Sequence, residues 1–287
     1  MASIPVGRRG RALLAAWPLW PQALVLVAFF VIPAGFIANA SLHDKAGGWT
    51  FAHYLAFAVD PYNRGVVLRT IGIGVSTTLL TLVLGYPLAR AISRGSTFTR
   101  WFLSAAVFFP LLTSSVIRSF GWLVLLGSNG LLNDTLQFLG LPKVQLIFNS
   151  VGVTIALAQV LLPFMVLSLV SGLANIDPAI EDAAATLGST PARRFFKVTV
   201  PMLAPGILAG SLLVFAIAIS SFVTPALIGG PRAEVMATMI YTNATQVANI
   251  GGASAASLIL LAVTLFVVTL YYRVIFAAAP DAAGRTP

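Results

Sequence analysis

The sequence predicts an all-α integral membrane protein with six transmembrane helices. Hydrophobic residues make up 58% of the 287-residue chain, charged residues make up 9%, and the mean hydropathy is +0.94. Soluble domains carry about 25% charged residues, so a water-soluble fold is excluded. Apolar runs long enough to span a bilayer, about 20 residues each, recur along the chain. The chain has no cysteine, which excludes disulfides and cysteine-bound metals.

The apolar runs place the helices in chain order. The first is expected over residues 17–40, after a tail of residues 1–16. Its apolar run is about twice as long as the core of a signal peptide, so cleavage near Ala40 is the less favoured alternative. A short amphipathic helix from Leu131 to Leu139 is expected at a membrane interface. The other five transmembrane helices are expected over residues 66–92, 101–126, 148–173, 203–228 and 253–276, before a tail of residues 277–287.

Small residues predict close helix packing on two of these helices. Small side chains recur on one face of the second helix at three- and four-residue spacing, and Gly206 and Gly210 are four residues apart on the fifth. Such faces let helix backbones approach each other in lipid.

The basic residues predict the orientation of the helices. With the N-terminus in the cytoplasm, eleven of the 17 Lys and Arg residues lie on cytoplasmic segments and the remaining six outside. This excess agrees with the positive-inside rule. Both termini are therefore expected in the cytoplasm. The net charge of +9 is explained by membrane orientation, so nucleic acid is not an expected partner.

One polar segment, residues 175–201 (the charged loop), interrupts the apolar second half of the chain. Asp177 is a suitable N-cap and Pro178 fits the first position of a helix. Glu181 and Asp182 place negative charge near the positive end of that helix. The charge pattern puts the charged loop in the cytoplasm.

Gly188 is suited to end this helix, because glycine adopts the left-handed conformation of a C-cap. Ser189 or Thr190 can cap a second short helix that begins at Pro191. We expect a helix, a glycine hinge and a helix lying against the membrane face. A merely solvated amphipathic loop is the alternative.

The spacing within the charged loop resembles the EAA loop of ABC importer permeases, in which Glu-Ala-Ala is followed by three residues, Gly, nine residues and Ile-x-Leu-Pro. The matching positions here are Asp182, Ala183, Ala184, Gly188, Val198, Val200 and Pro201. The chain departs from the motif with Asp for Glu and with Val for both Ile and Leu. Because Glu181 adjoins Asp182, either carboxylate is a candidate for the acid of the motif.

Two other segments, residues 118–133 and 221–230, resemble the spermidine/putrescine-type permeases of this group. The resemblance covers residues 64–275, the ABC transmembrane type-1 permease core. It implies the type I importer (MetI-like) architecture in the cell inner membrane, with a polyamine as substrate. The wider group is similar to permeases for ferric iron, phosphonates, sulfate and opines.

The resemblance also implies partners: a second permease subunit (a copy or a paralogue), a cytoplasmic ABC ATPase dimer, and a periplasmic or lipid-anchored solute-binding protein. No cofactor is expected in this chain, since the ATPase would bind ATP and Mg. The charged loop would dock on the ATPase through Asp182, Ala183 and Gly188, with Glu181 as the substitute for Asp182. Ala184 and Pro201 complete the expected coupling residues.

No catalytic or metal-binding residue is expected. A P-loop needs lysine after glycine, and none of the chain's lysines follows a glycine. No carboxylate is expected at mid-membrane depth, which argues against the alternative of an ion-coupled secondary transporter. An assembly or sensor protein that recruits a cytoplasmic partner is a third hypothesis. The candidates for lining a pathway are uncharged, and each could instead bond a neighbouring helix: Gln159, Ser220, Ser221 and Thr224.

Overall fold

The computed structural model describes residues 20–44 and 47–278. The expected tail 1–16 and the last residues, 279–287, lie outside the described residues, as do residues 17–19 of the first expected helix. Within the described ranges six helices are long and apolar enough to cross a membrane, as predicted: Leu24–Ser41, Pro61–Arg94, Ser115–Phe138, Ser150–Ala174, Pro191–Ser220 and Ile250–Arg273.

The described residues contain thirteen α-helices, joined in places by short π- or 3₁₀-helical turns. The α-helices are α1 Trp20–Leu26, α2 Ile32–Ser41, α3 Ala52–Val59, α4 Pro61–Arg94, α5 Thr97–Phe108, α6 Ser115–Leu126, α7 Leu131–Phe138, α8 Ser150–Ala174, α9 Pro178–Thr186, α10 Pro191–Arg194, α11 Val200–Ser220, α12 Met236–Thr245 and α13 Ile250–Ala278. The π-helical turns are Val27–Val31, Phe195–Thr199 and Pro225–Gly229, and the 3₁₀ turns are Phe109–Leu112 and Pro231–Ala233.

Helices α4, α8 and α11 form the packed centre of the protein. Leu161, Met165 and Leu169 of α8 are buried in one cluster with Ala89 of α4 and Val214 of α11. Lipid is as apolar as these side chains, so close van der Waals packing and not the hydrophobic effect holds the helices together.

Small residues make this packing close, as the sequence predicts. A Cβ atom at Gly74 of α4 would lie 2.5 Å from the Ile219 side chain. One at Gly210 would lie 2.9 Å from the Met165 sulfur, and one at Gly206 would lie 3.3 Å from the Cα atom of Gly172. The backbones of α8 and α11 therefore come close at Gly172 and Gly206, and a side chain at Gly74 or Gly210 would displace a neighbouring side chain.

The prediction of continuous helices over residues 101–126 and 203–228 is wrong. The first is broken between α5 and α6, because Pro110 has no N–H to donate and Thr113 is extended. The Arg118 guanidinium donates a hydrogen bond to the Pro110 carbonyl oxygen at the break. The second ends at Ser220, where the following residue is extended, and resumes only as the turn Pro225–Gly229.

Two short helices, α3 and α12, stand where the sequence predicts only loop. Helix α4 also begins earlier than expected, at Pro61, because the Asp60 carboxylate accepts a hydrogen bond from the Tyr62 backbone N–H at 2.9 Å. The expected short helix forms as α7, Leu131–Phe138, and Gly140 follows it with φ +74°. It belongs to the candidate span Ser115–Phe138, so its place at a membrane interface stays a prediction.

Candidate functional site

The charged loop folds as its cap residues predict. The Asp177 carboxylate accepts a hydrogen bond from the Ala179 N–H at 2.9 Å, and Pro178 is the first residue of α9. Gly188 follows α9 with φ +78°, the left-handed conformation that ends helices. Of the two candidates for the second cap, Thr190 accepts from the backbone N–H of Arg193 at 3.4 Å.

The second helix of the charged loop is not a separate element, contrary to expectation. Helix α10 passes through the π turn Phe195–Thr199 directly into α11, so Pro191–Ser220 is one span of 30 residues. Pro201 lies within this continuous span, two residues after the π turn, so the N–H that it lacks is missing from the interior of the helix. The charged loop thus contains one free-standing helix, α9, and the beginning of a transmembrane helix.

Glu181 is turned from α9 toward the transmembrane bundle. Its carboxylate accepts two hydrogen bonds from the Arg90 guanidinium of α4, at 2.9 and 3.3 Å, and one from the Thr199 hydroxyl at 3.1 Å. The Glu181 side chain is 13% exposed, against 45% for Arg90. A carboxylate held by a two-pronged guanidinium and a hydroxyl is fixed in orientation as well as in position.

Two further arginines hold the charged loop, one from α4 and one from the loop's own second helix, α10. Arg94, at the end of α4, donates to the Ile176 carbonyl oxygen at 2.9 Å. Arg194 donates to the backbone carbonyl oxygen of Glu181 at 3.5 Å. Helix α9 is therefore held just before its first residue and again at Glu181.

The environment of Glu181 favours its ionised form. Burial alone raises the pKa of Glu181, but hydrogen bonds from Arg90 and Thr199, together with the charges of Arg90 and Arg94, outweigh it and lower the pKa below its ordinary value of 4.5. The arrangement is an ion pair that stays charged at neutral pH.

The other expected coupling residues lie on the outer side of α9. Asp182 and Ala183 are exposed, Ala184 is half-buried, and Gly188 is exposed with no atom within 4 Å of a Cβ placed there. Beside them Leu187 is 87% exposed. Sequence reasoning missed Leu187, although a large apolar residue between a polar helix and its terminal glycine is a recognisable signal of a contact surface.

The structure gives the local contacts of the expected pathway residues, and their role in a pathway stays a prediction. The Gln159 side-chain oxygen accepts from the indole N–H of Trp122 at 3.4 Å. The hydroxyls of Ser220 and Ser221 donate to carbonyl oxygens of their own helix, each at 2.8 Å, and Thr224 is buried. These contacts satisfy the groups locally.

A cavity of about 870 Å³ opens at the end of the bundle opposite the charged loop, beside α3, α12 and the first turn of α4. Its lining includes the carboxylates of Asp60 and Glu234 and the rings of Tyr62, Phe222 and Tyr241. The Tyr62 hydroxyl donates a hydrogen bond to the Glu234 carboxylate. Sequence reasoning assigned no role to this cluster, because 172 residues separate Tyr62 from Glu234 and only the tertiary fold brings them together.

Among the described residues no group of three or more His, Asp or Glu side chains is placed to hold a metal ion. The structure therefore shows two candidate functional features. An ion-paired helix stands at one end of the bundle, and an acidic, aromatic cavity opens at the other.

Residues 81–278 match the family model described as "Binding-protein-dependent transport system inner membrane component". The chain belongs to this family. Its members are permease subunits of ABC transporters and not enzymes, and the six-helix architecture is the one that the resemblance implied.

Among curated proteins, the chain is similar to the spermidine/putrescine transport system permease protein PotB of Haemophilus influenzae, at 30% identity over 259 residues, covering 86% of this chain and 89% of that protein. It is 31% identical to PotB of Escherichia coli K12 over 257 residues, covering 86% and 93%. It is also 29% identical to the molybdenum transport system permease protein ModB of Mycobacterium bovis over 254 residues, covering 88% and 92%.

Among solved structures, the fold is similar to a chain of the bacterial alginate ABC transporter in complex with an alginate pentasaccharide-bound periplasmic protein. The TM-score is 0.76 at 20% identity, and the match covers 91% of this chain and 93% of that chain. At this identity the likeness concerns the fold alone.

Proposed function

We propose that this permease subunit forms half of the translocation pathway for a small organic cation, a polyamine such as spermidine or putrescine, in an ATP-driven importer. The observation that carries the choice of substrate is the acidic, aromatic cavity at the end of the bundle opposite the charged loop. The similarity to permeases named for spermidine and putrescine transport points to the same substrate class.

The cavity has the chemistry that recognises amine cations. Carboxylates such as Asp60 and Glu234 attract ammonium groups, and aromatic faces such as those of Phe222 and Tyr241 bind cations through their π electrons. The sequence left open how a polyamine could pass without a carboxylate at mid-membrane depth. The cavity offers two at its end of the bundle, where a binding protein would deliver the substrate.

The same chemistry disfavours anionic substrates. Apart from His53, the titratable carboxyl and basic side chains that line the cavity in the described part of the chain are Asp60 and Glu234. Carboxylates repel an oxyanion such as molybdate or an acidic polysaccharide such as alginate. We therefore favour the polyamine relatives over the molybdenum and alginate relatives as guides to the substrate.

The charged loop is the proposed docking site for the ATPase, which would bind the ATP and Mg. Its outer surface presents Asp182, Ala183, Leu187 and Gly188, an acid beside apolar contacts on a short capped helix. If the ATPase docks there, the charged loop and both termini would lie in the cytoplasm, as we propose. The remaining partners are a second permease subunit, either a copy or a paralogue, and a solute-binding protein.

Uptake by the reconstituted importer tests this proposal. Both permease subunits, the ATPase and the binding protein are placed in liposomes, and ATP-dependent uptake of radiolabelled spermidine is compared with uptake of molybdate. Glu234→Gln should lower spermidine uptake by about tenfold, the effect of losing roughly 1.4 kcal/mol of attraction. Glu234→Asp should retain most of it, and Asp134→Asn, which removes an exposed carboxylate on α7, should leave uptake unchanged.

Two results would contradict the proposal. Uptake of molybdate in place of spermidine would overturn the choice of substrate. Spermidine uptake driven by an ion gradient, with the permease alone and without ATP, would replace the importer with the ion-coupled alternative.

A further inference from the structure

We infer that Arg90, Glu181 and Thr199 form an internal latch that joins α9 to α4 and α11, so that a displacement of α9 moves both transmembrane helices as one body. Glu181 is in this view a positioning residue within the chain, and the neighbouring Asp182 is the acid offered to the partner. The role in transport rests on the proposed docking of an ATPase at α9, but the latch itself does not.

The Glu181 carboxylate joins three separate elements: its own helix α9, helix α4 and the π turn before α11. Arg90 of α4 is 91 residues from Glu181 in sequence, and Thr199 is 18 residues beyond it, at the end of the π turn. One carboxylate oxygen accepts from both Arg90 and Thr199, and the other accepts from Arg90 at 2.9 Å. Each partner lies on a different element, so no single helix could rotate without breaking a bond.

The pair differs from an ordinary surface ion pair, which contributes little because water screens it and long side chains must be ordered. The Glu181 side chain is mostly covered and Thr199 is 2% exposed. The guanidinium grips both carboxylate oxygens, and such two-pronged pairs are stronger and more directional than single contacts. A further hydrogen bond orients the Arg90 guanidinium, which also donates to the Tyr86 hydroxyl at 3.2 Å.

The π turn Phe195–Thr199 completes the latch. A π turn inserts one extra residue into an α-helix, which rotates the later part of the helix by about 100° relative to the earlier part. Thr199 closes the turn, and Phe195 at its start packs edge-on against Tyr86 of α4, with ring centroids 4.9 Å apart. The turn thus contacts α4 through a ring at one end and meets Glu181 through a hydroxyl at the other.

The latch matters because the links to α9 are short, and the other contact described for them, from Arg94 to Ile176, lies before the helix begins. Residues 175–177 precede the helix and residues 187–190 come after it. Without the latch, a push on α9 would bend the second link, residues 187–190, before it moved a transmembrane helix. With the latch closed, the same push is transmitted to the ends of α4 and α11 together.

Spin-label distances test the latch on the permease alone. The chain has no native cysteine, so labels at Ala185→Cys on α9 and Thr97→Cys just after α4 report a single pair. We expect one narrow distance distribution in the otherwise unchanged protein, and broadening in Glu181→Gln and Thr199→Val. Asp182→Asn is the matched control, since it removes the neighbouring carboxylate, and should keep the narrow distribution. The double variant with Arg90→Glu and Glu181→Arg should recover part of the narrowing of the distance distribution.

Reconstitution with the ATPase and binding protein gives the functional readout. In Glu181→Gln the ATPase should still co-purify, while the ATP hydrolysed per spermidine imported rises at least about fivefold, the low end of usual coupling effects. An unchanged distance distribution in Glu181→Gln would overturn the latch whatever the ATPase does. Failure of the ATPase to bind the unmodified permease would instead overturn the proposed function, and the distances would still decide the latch.

Discussion

The Arg90 guanidinium grips both carboxylate oxygens of Glu181, across 91 residues of sequence. Asp182, the next residue, occupies the position of the motif acid yet is exposed. The two adjacent carboxylates of this nine-residue helix therefore differ in exposure, since Glu181 is mostly covered and Asp182 is exposed. One stabilises the chain's own fold, and the other is available to a partner.

The latch should weaken in acid. Glu181 has a lowered pKa in the folded protein, so the pair contributes stability above the unfolded pKa and loses it as pH falls through the folded value. The charged groups facing Glu181 are Arg90, Arg94 and Arg194, which stay protonated throughout. In detergent, we expect the melting temperature to fall between about pH 5 and pH 3 more steeply for the unmodified protein than for Glu181→Gln. Parallel curves would show that Glu181 contributes nothing in this range.

Close packing of α4 against α11 should depend on Gly74 and not on its neighbour two residues earlier. A Cβ atom at Gly74 would lie 2.5 Å from Ile219 and 2.9 Å from Phe215, whereas one at Gly72 would have nothing within 4 Å. Gly74→Ala should cost about 1–3 kcal/mol and lower the melting temperature. Gly72→Ala should leave it unchanged or raise it slightly, because alanine favours helix. Equal effects of the two substitutions would contradict the packing described for this face.

At Gly188 the constraint is conformational, since φ is +78° and no atom lies within 4 Å of a Cβ placed there. Gly188→Ala should therefore cost about 1–2 kcal/mol of left-handed strain. Gly188→Asn should cost less, because asparagine tolerates this conformation. Thermal unfolding of the purified protein measures both.

Gly188→Trp adds bulk on the proposed docking surface and should abolish co-purification of the ATPase while the protein still inserts in the membrane.

Leu187 should matter for binding and not for folding, because its side chain is 87% exposed. Leu187→Ser is expected to leave the melting temperature unchanged and to weaken ATPase capture by about tenfold or more, as for a central apolar contact of an interface. Leu139→Ser, at a residue 65% exposed near the end of α7, is the matched control. If both variants capture the ATPase as well as the unmodified protein, the docking surface lies elsewhere.

Local signals in the sequence were enough to predict much of this fold. Asp177, Pro178 and Gly188 begin and end α9 as their cap preferences require, and hydropathy alone placed six spans. The break near Pro110 was missed because an apolar run scores as one helix whether or not its hydrogen bonds continue. The end of α11 at Ser220 was missed for the same reason.

The site was harder to predict than the fold. Alanine surrounds Glu181 and Asp182 on most of α9, so no apolar stripe shows which of the two carboxylates faces inward. The answer depends on Arg90 of α4, a contact that no spacing within the charged loop encodes. The cluster of Tyr62 and Glu234 is likewise a product of tertiary packing.

Because α10 continues through the π turn into α11, the two form one long helix that can tilt as a unit. The 30 residues of Pro191–Ser220 extend over about 45 Å, more than the thickness of the hydrocarbon core of a bilayer. Near its first end, Thr199 bonds Glu181. At its other end the helix stops at Ser220, the next residue is extended, and Phe222 then lines the cavity. If the rod stays rigid, a tilt of about 5° displaces one end by about 4 Å relative to the other. A small displacement of the charged loop would then change the width of the cavity mouth. The helix itself would transmit the movement, and no chain of side-chain contacts across the membrane interior would be needed.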